Sequence, residues 1–215
     1  SSTPSTPTTP NTRNDINNYR GKTTPVAGQT YSIQVNVNGE TSLHATNKIP
    51  FPVAITSAEV DSDELHIKFQ DPVMEKNYYR IRLYTEYLYV PSTIKNGVLI
   101  PDSSKAYIVK SYLPYTSEGL ADELDGNSFI ADDLFNGKTY ELRLKVKSTF
   151  NRPQQKLHII LLSLNKEYYD YWSSLKLAKE ADDNPYLAQP VQIYSNIENG
   201  LGIFAGYSAS EILLK

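Results

Sequence analysis

The sequence predicts a mainly β fold, an antiparallel β-sandwich with one C-terminal α-helix packed on it. Three observations lead there. The composition, with 17 Tyr and 13 Pro against a single Met, suits pleated half-buried surfaces and turns better than helices. Short segments with apolar residues at every second position follow one another, separated by turn residues. Only one stretch carries helical spacing. At 215 residues the chain is long enough for one large domain or two small ones with a substantial core.

The elements follow in order. Residues 1 to 10 hold only Ser, Thr and Pro, and Asn11 to Asn18 adds the single apolar Ile16, so residues 1–30 are expected to be a polar linker or terminus. From Tyr31 the pattern alternates, with Tyr31, Ile33, Val35 and Val37 on one face. Asn38-Gly39 then signals a tight hairpin, because both positions of a type I′ turn need positive φ, and Leu43 and Ala45 resume the alternation. One hairpin cannot bury its own face, so residues 31–52 read as the remnant or last strands of an N-terminal sandwich domain. Lys48-Ile-Pro-Phe-Pro52 is an extended connector and a module boundary.

Residues 53–215 are expected to form the C-terminal sandwich. Its strands are Ile55–Val60, Leu65–Phe69, Tyr78–Val90, Ala106–Leu113 and Thr139–Lys147, the last with Tyr140, Leu142, Leu144 and Val146 facing inward and charged residues outward. Asn136-Gly137 suggests a hairpin between that strand and the segment Phe129–Phe135. Leu157–Leu164 is apolar on both faces and reads as a central strand. A helix over about 165–182 is capped by Asn165, has Glu167 in its first turn, and is limited by Pro185. Its stripe of Tyr168, Tyr171, Trp172, Leu175 and Ala178 is expected to pack on the sheet.

Several function classes are disfavoured by composition. Lys+Arg number 21 and Asp+Glu 24, a net charge of −3 that offers a polyanion no general attraction, so no nucleic acid partner is expected. The densest apolar run, Leu157–Leu164, is far shorter than the roughly 20 residues of a membrane-spanning helix, and no transmembrane segment is expected. The absence of Cys removes disulfides, thiolate metal sites and Cys nucleophiles. His44, His66 and His158 show no ligand spacing, and no metal site or cofactor is expected. Asp122-Glu-Leu-Asp-Gly126 only superficially resembles a calcium loop, with Ala121 where a first ligand would fall. Gly206-Tyr-Ser-Ala-Ser210 lacks the final Gly of a nucleophile elbow. Acidic pairs such as Asp132-Asp133 and Asp182-Asp183 are read as solvated loop acids, since glycosidases need two carboxyls facing across a cleft. Gly200, Gly202 and Gly206 are assigned to close backbone approach or positive φ where a terminal strand enters the sheet.

The stretch Pro190-Val-Gln-Ile-Tyr-Ser-Asn-Ile-Glu-Asn-Gly-Leu-Gly-Ile-Phe-Ala-Gly-Tyr207 resembles the closing signature of a Bacteroidota outer-membrane lipoprotein family catalogued as domain of unknown function 4249. Other matching stations are Ala27-Gly-Gln-Thr-Tyr31, Ile49-Pro50 with Pro52 and Ile55, Asp71-Pro72 with Asn77-Tyr-Tyr-Arg80, and Asp132-Asp-Leu-Phe-Asn-Gly137. The resemblance runs from about Ala27 to Ser208. It implies an exported protein, held at the outer membrane by a lipidated N-terminal Cys and often encoded beside TonB-dependent receptors. It also implies an immunoglobulin-like or transthyretin-like sandwich ahead of the larger β domain. This chain has no Cys to lipidate and only one hairpin in place of that first domain, so Ser1 is not expected to be the biological start, and the lipid anchor is expected in the full-length precursor. The family transfers no catalytic residues; Asn196, Asn199, Gly200, Gly202, Phe204 and Tyr207 form a motif of unknown role.

The functional expectation is a non-enzymatic accessory or ligand-binding surface lipoprotein on the periplasmic or cell-surface side of the outer membrane. Its expected partners are a TonB-dependent receptor or other outer-membrane protein, and a glycan or peptide ligand. Tyr84, Tyr87, Tyr89, Tyr112 and Tyr115 are the candidate contact surface, because Tyr supplies large amphipathic area at modest entropy cost. A structural or adhesive surface protein is the alternative, and a carboxylate-dependent glycan hydrolase the third reading.

Overall fold

A computed structural model describes residues 7–8, 18–36, 39, 41–73, 75–117, 122–124, 127–146, 155–183 and 191–214. In the polar start, β1 (Pro7–Thr8) and β2 (Asn18–Tyr19) form a two-residue antiparallel ladder. β3 (Thr30–Val35) and β4 (Leu43–Lys48) form a hairpin that sets Tyr31, Ile33 and Val35 opposite Asn47, Ala45 and Leu43. Gly39 in its turn has φ +81°, the left-handed region that favours glycine, while Val37 and Asn38 lie outside the described residues.

The body contains β5 (Ile55–Asp61), β6 (Glu64–Gln70), β7 (Tyr78–Tyr89), β8 (Ser92–Lys95), β9 (Val98–Pro101), β10 (Tyr107–Tyr112), β11 (Tyr115–Ser117), β12 (Asp122–Leu124), β13 (Asn127–Ala131), β14 (Thr139–Val146), β15 (Lys156–Leu164), α1 (Lys166–Asp183) and β16 (Tyr207–Leu214). Two antiparallel sheets result. One runs β11-β14-β6-β5; the other runs β12-β13-β7-β15-β16, with β10 beside the second half of β7. Their facing sides carry every second residue of each strand: Leu65, Ile67, Phe69, Leu142 and Leu144 from one, Tyr79, Ile81, Leu83, Ile159 and Leu161 from the other. This is the predicted sandwich. Burying such a side chain stabilises the fold by about 1.5–3 kcal/mol, and aromatic contacts such as Phe135 stacked on Tyr140 at 4.0 Å fill one end of the core.

β15 is central, between β7 and β16, which explains its apolar residues on both faces. Its second face meets the helix. Tyr78, Phe129, Leu162 and Leu164 pack against Tyr168, Tyr169 and Trp172. Tyr169 takes part in this contact, its ring 4.6 Å from that of Tyr78, although the helical stripe did not include it. Asn165 caps the helix by accepting from the Tyr168 N–H at 3.1 Å. Pro185 lies outside the described residues.

One predicted pairing is corrected. Asn136-Gly137 does form a turn, with Gly137 at φ +72° and Lys138 N–H donating to the Phe135 carbonyl at 2.8 Å. The two segments it joins are not a hairpin. β13 pairs with β7, and β14 pairs with β6, so the turn carries the chain from one sheet to the other. Of the calcium-like stretch, Asp122–Leu124 is β12, paired with β13.

The outer face of the smaller sheet is charged, as its alternation requires. Glu141 accepts from His66 Nδ1 at 3.1 Å, Lys68 Nζ at 3.2 Å and Arg143 Nε at 3.0 Å. These donors, His66 first and then Lys68, hold its carboxyl down at about 2. A carboxylate with a depressed folded pKa contributes stability above its unfolded value near 4.5 that is lost as pH falls toward about 2. We therefore expect Glu141→Gln to melt below wild type at pH 6, with the gap closing between pH 4.5 and 2 in a series of thermal melts.

Candidate functional site

Two polar networks, the first buried and the second partly buried, shape one end of the sandwich. The first forms where β6 leaves its sheet. The carboxylate of Asp71, 1% exposed, accepts the Tyr79 hydroxyl on one oxygen and the Gly137 N–H, at 2.8 Å, on the other. Beside it Asp132, expected from the sequence to be a solvated loop acid, is instead equally buried, because it accepts the Asn77 N–H at 2.7 Å. Asn77 in turn donates from its side-chain amide to the Glu75 carbonyl at 2.9 Å. Burial pushes the Asp132 carboxyl up; the Asn77 N–H opposes that rise and nearby Asp71 adds to it. Burial and the bond to Asp71 raise the Tyr79 phenol strongly. Three sequence stations, Asp71-Pro72, Asn77–Arg80 and Asp132–Gly137, thus become one knot.

The second network ties the β3–β4 hairpin to the body. Asn196 grips Phe204 in both directions, donating to its carbonyl at 2.7 Å and accepting its N–H at 2.8 Å. Asn47, from β4, donates to the same carbonyl at 3.2 Å, and Asn165 donates to the Asn47 side-chain oxygen. The helix cap, the hairpin and the C-terminal loop therefore share one chain of amides. Asn199, with φ +63°, donates to the Ser42 carbonyl at 3.2 Å, and Glu198 bridges to His44. Gly200 and Gly206 allow close approach: a Cβ on them would lie 2.9 Å from Leu43 Cδ2 and 2.2 Å from Ile49 Cδ1. Gly202 has φ +133°. The motif residues Asn196, Asn199, Gly200, Gly202 and Phe204 are thereby assigned to a clasp; Tyr207 opens β16, its ring 6.3 Å edge-on from Tyr168.

Between the two networks lies a cleft of about 790 Å³. Asn47, Asn165 and Asn77 reach it from the networks themselves, and Thr30 and Thr46 add hydroxyls. Lys48, Lys76, Lys166, Glu75 and Glu167 also line it, so neither sign dominates. Lys76 pairs with Asp133 at 2.6 Å and Lys166 with Asp170, and each bond raises the lysine's pKa. The rim is apolar: Phe51 and Val73 are about two-thirds exposed. The amides of Asn47, Asn165 and Asn77 are committed to the two networks, so a ligand would meet the threonines, the charged side chains and the open Phe51 ring, a set that suits a polar ligand of small-molecule size. Gly28, with φ +80°, lies under the Phe51 ring, and a Cβ there would be 2.4 Å from Cζ. Gly28→Ala is expected to displace that ring and, through backbone strain, cost about 1–2 kcal/mol, read as a lower melting temperature and a changed aromatic near-UV signal.

The five predicted contact tyrosines do not form one surface. Strand register puts Tyr84 and Tyr112 on the outer face of the larger sheet, and Tyr87 and Tyr89 on the opposite one. Tyr115 is buried and donates its hydroxyl to the Ile81 carbonyl at 2.8 Å, so it contributes packing rather than contact area. Tyr84 instead heads a polar cluster. His158 stacks on its ring at 4.2 Å and bonds Glu211, which also accepts the Tyr84 hydroxyl at 2.9 Å. Burial and that bond push the Tyr84 phenol up to about 12. Among the described residues, no group of three His, Asp or Glu is placed to hold a metal ion, and no helix is long and apolar enough to cross a membrane.

The fold and site define an antiparallel sandwich domain with a helix on one sheet and a polar cleft at one end. The model of the family described as a domain of unknown function (DUF4249) matches residues 3–212, and the chain belongs to that family. No curated protein matches the chain. No solved structure matches it either.

Proposed function

We propose that this protein is a non-enzymatic binding protein of the outer membrane, an accessory to a TonB-dependent transporter, and that it captures a glycan or peptide in the cleft beside α1. The observation that carries this reading is the cleft itself. It lies beside the Asp71–Asp132 knot and the Asn47–Asn165–Asn196 clasp, in which Asp71, Asn77, Asp132 and Asn196 come from the stretches that carry the family resemblance. Its lining of threonines and charges of both signs, with the exposed Phe51 ring, matches ligands rich in hydroxyl or amide groups. The buried carboxylates of Asp71 and Asp132 accept from Tyr79, Gly137 and Asn77 and hold the fold, and Glu75 and Glu167 in the cleft are read as groups that bind a ligand. Export, lipid anchoring and the transporter partnership follow from the family resemblance.

The test is thermal stabilisation across a panel of oligosaccharides and short peptides. A ligand at about 100 times its Kd should stabilise the protein by about 2.7 kcal/mol, and Phe51→Ala should remove most of that gain. A panel that stabilises nothing would favour the adhesive or structural reading. Conversion of a panel member to product would overturn the non-enzymatic one.

A further inference from the structure

At the far end of β7 from the cleft, the sheet runs out into an arm. Beyond the β7–β10 pairs Leu88–Ile108 and Tyr89–Tyr107, Asp102 N–H donates to the Pro91 carbonyl at 2.8 Å, and β8 and β9 continue as a two-stranded ribbon. Its tip is Asn96-Gly97, both at positive φ, 50° and 78°. All residues of β8 and β9 are exposed.

The ribbon is apolar on both faces. Ile94 pairs with Leu99 on one, and Val98 and Ile100 lie on the other, opposite Lys95 and Thr93. Ile94 is 73% exposed, Leu99 67% and Val98 62%. A groove on a protein partner covers one face of a ribbon; a ribbon apolar on both sides fits a medium that surrounds it. Behind the tip stand the exposed tyrosines Tyr89 and Tyr107, rings 5.3 Å apart, with Leu88 and Ile108 beside them. Tyrosines behind an apolar tip match the order of a membrane interface, where amphipathic rings sit at headgroup level. Of the three lysines in residues 88 to 112, Lys105 pairs with Asp102 at 3.1 Å and Lys110 with Glu86 at 3.5 Å, and Lys95 stands beside the tip. Lys95 favours anionic lipid, because its stem can lie along acyl chains while its ammonium group reaches phosphate.

We propose that the β8–β9 ribbon inserts its tip into the interface of an anionic phospholipid bilayer. Four residues per strand reach about 13 Å, and the unpaired N–H and C=O groups on both ribbon edges stop insertion short of the hydrocarbon centre. The contact is therefore interfacial, about 5–10 Å deep. β7, with 12 residues, separates ribbon from cleft by about 40 Å, so a seated arm leaves the cleft clear of the lipid. The inference is independent of what the cleft binds.

Co-sedimentation of the whole chain with vesicles tests it. Vesicles of phosphatidylcholine and phosphatidylglycerol at three to one should retain the protein, and pure phosphatidylcholine should retain less. Ile94→Asp with Leu99→Asp should weaken retention at least about tenfold without moving the melting temperature, since both side chains are exposed. Because the chain has no Cys, Leu99→Cys can carry an environment-sensitive dye at one site. Its emission should shift blue on vesicles, and the same dye at Lys138→Cys, in the turn at the opposite end, should not. Failure of the wild-type chain to sediment, retention unchanged in the double variant, or a blue shift at both positions would each overturn the proposal. So would dimerisation through the arm without vesicles, which would make it a self-association surface.

Discussion

Asp71→Ala is expected to destabilise the protein by about 3–5 kcal/mol, because two hydrogen bonds to a charged acceptor disappear and their donors stay buried. The orphaned groups are the Tyr79 hydroxyl, on a side chain with no exposure, and the Gly137 N–H. Asp71→Asn should cost much less, about 1–2 kcal/mol. Its oxygen still accepts from Gly137, and its amide can donate to Tyr79, whose hydroxyl then becomes the acceptor. Denaturant unfolding of the two variants and of Tyr79→Phe reads the difference. If Asp71→Ala and Asp71→Asn lose equal stability, the knot does not act through its hydrogen bonds.

Asn196→Ala should act locally. It removes both bonds to Phe204 and strands the Phe204 N–H, a loss of about 2–3 kcal/mol, while Asn47 keeps its own bond to the Phe204 carbonyl. The clasp then opens before the sandwich does. Amide exchange should speed up about 30- to 140-fold in residues 43–48 and 196–206, with β7 and β15 unchanged. Equal acceleration throughout would mean that the clasp is part of the global fold; no acceleration would mean that Asn196 carries no tension between hairpin and body.

Much of the fold is legible in the alternation. Thr139–Val146 reads its two faces directly, and Leu157–Leu164 declares a central strand because both of its faces are covered. Partner choice is not legible. Asn136-Gly137 specifies a local reversal, whereas the sheet each flank joins depends on burial of Phe129 and Ile130 against β7 and of Leu142 against β6. The Asn96-Gly97 tip was missed although it carries the same signal as Asn38-Gly39; its flanks, exposed on both faces, lack the alternation that marks a half-buried strand.

The site was less legible than the fold. Tyr112 and Tyr115 lie three residues apart, yet one is 77% exposed and the other 8%, because the chain crosses between sheets at Leu113-Pro114. Asn47, Asn165 and Asn196 share a chain of amides across well over a hundred residues, and no local spacing announces it. Asp71 shows in the sequence only as a member of a short station, and Asp132 reads there as a solvated loop acid, although it is buried. Their common feature, burial with a full set of donors, comes into being when β6, β7 and the 132–138 turn meet.

The most direct test of the cleft as a binding site is a two-dimensional amide NMR titration of the isotope-labelled chain with the panel member that stabilises it most. Shifts should concentrate in residues 46–51, 75–77 and 165–167 and saturate with one Kd, and the distant β8–β9 ribbon should stay silent. Saturable shifts centred on Tyr84, His158 and Tyr112, with the cleft residues unmoved, would contradict the account and place the binding surface on the outer face of the larger sheet.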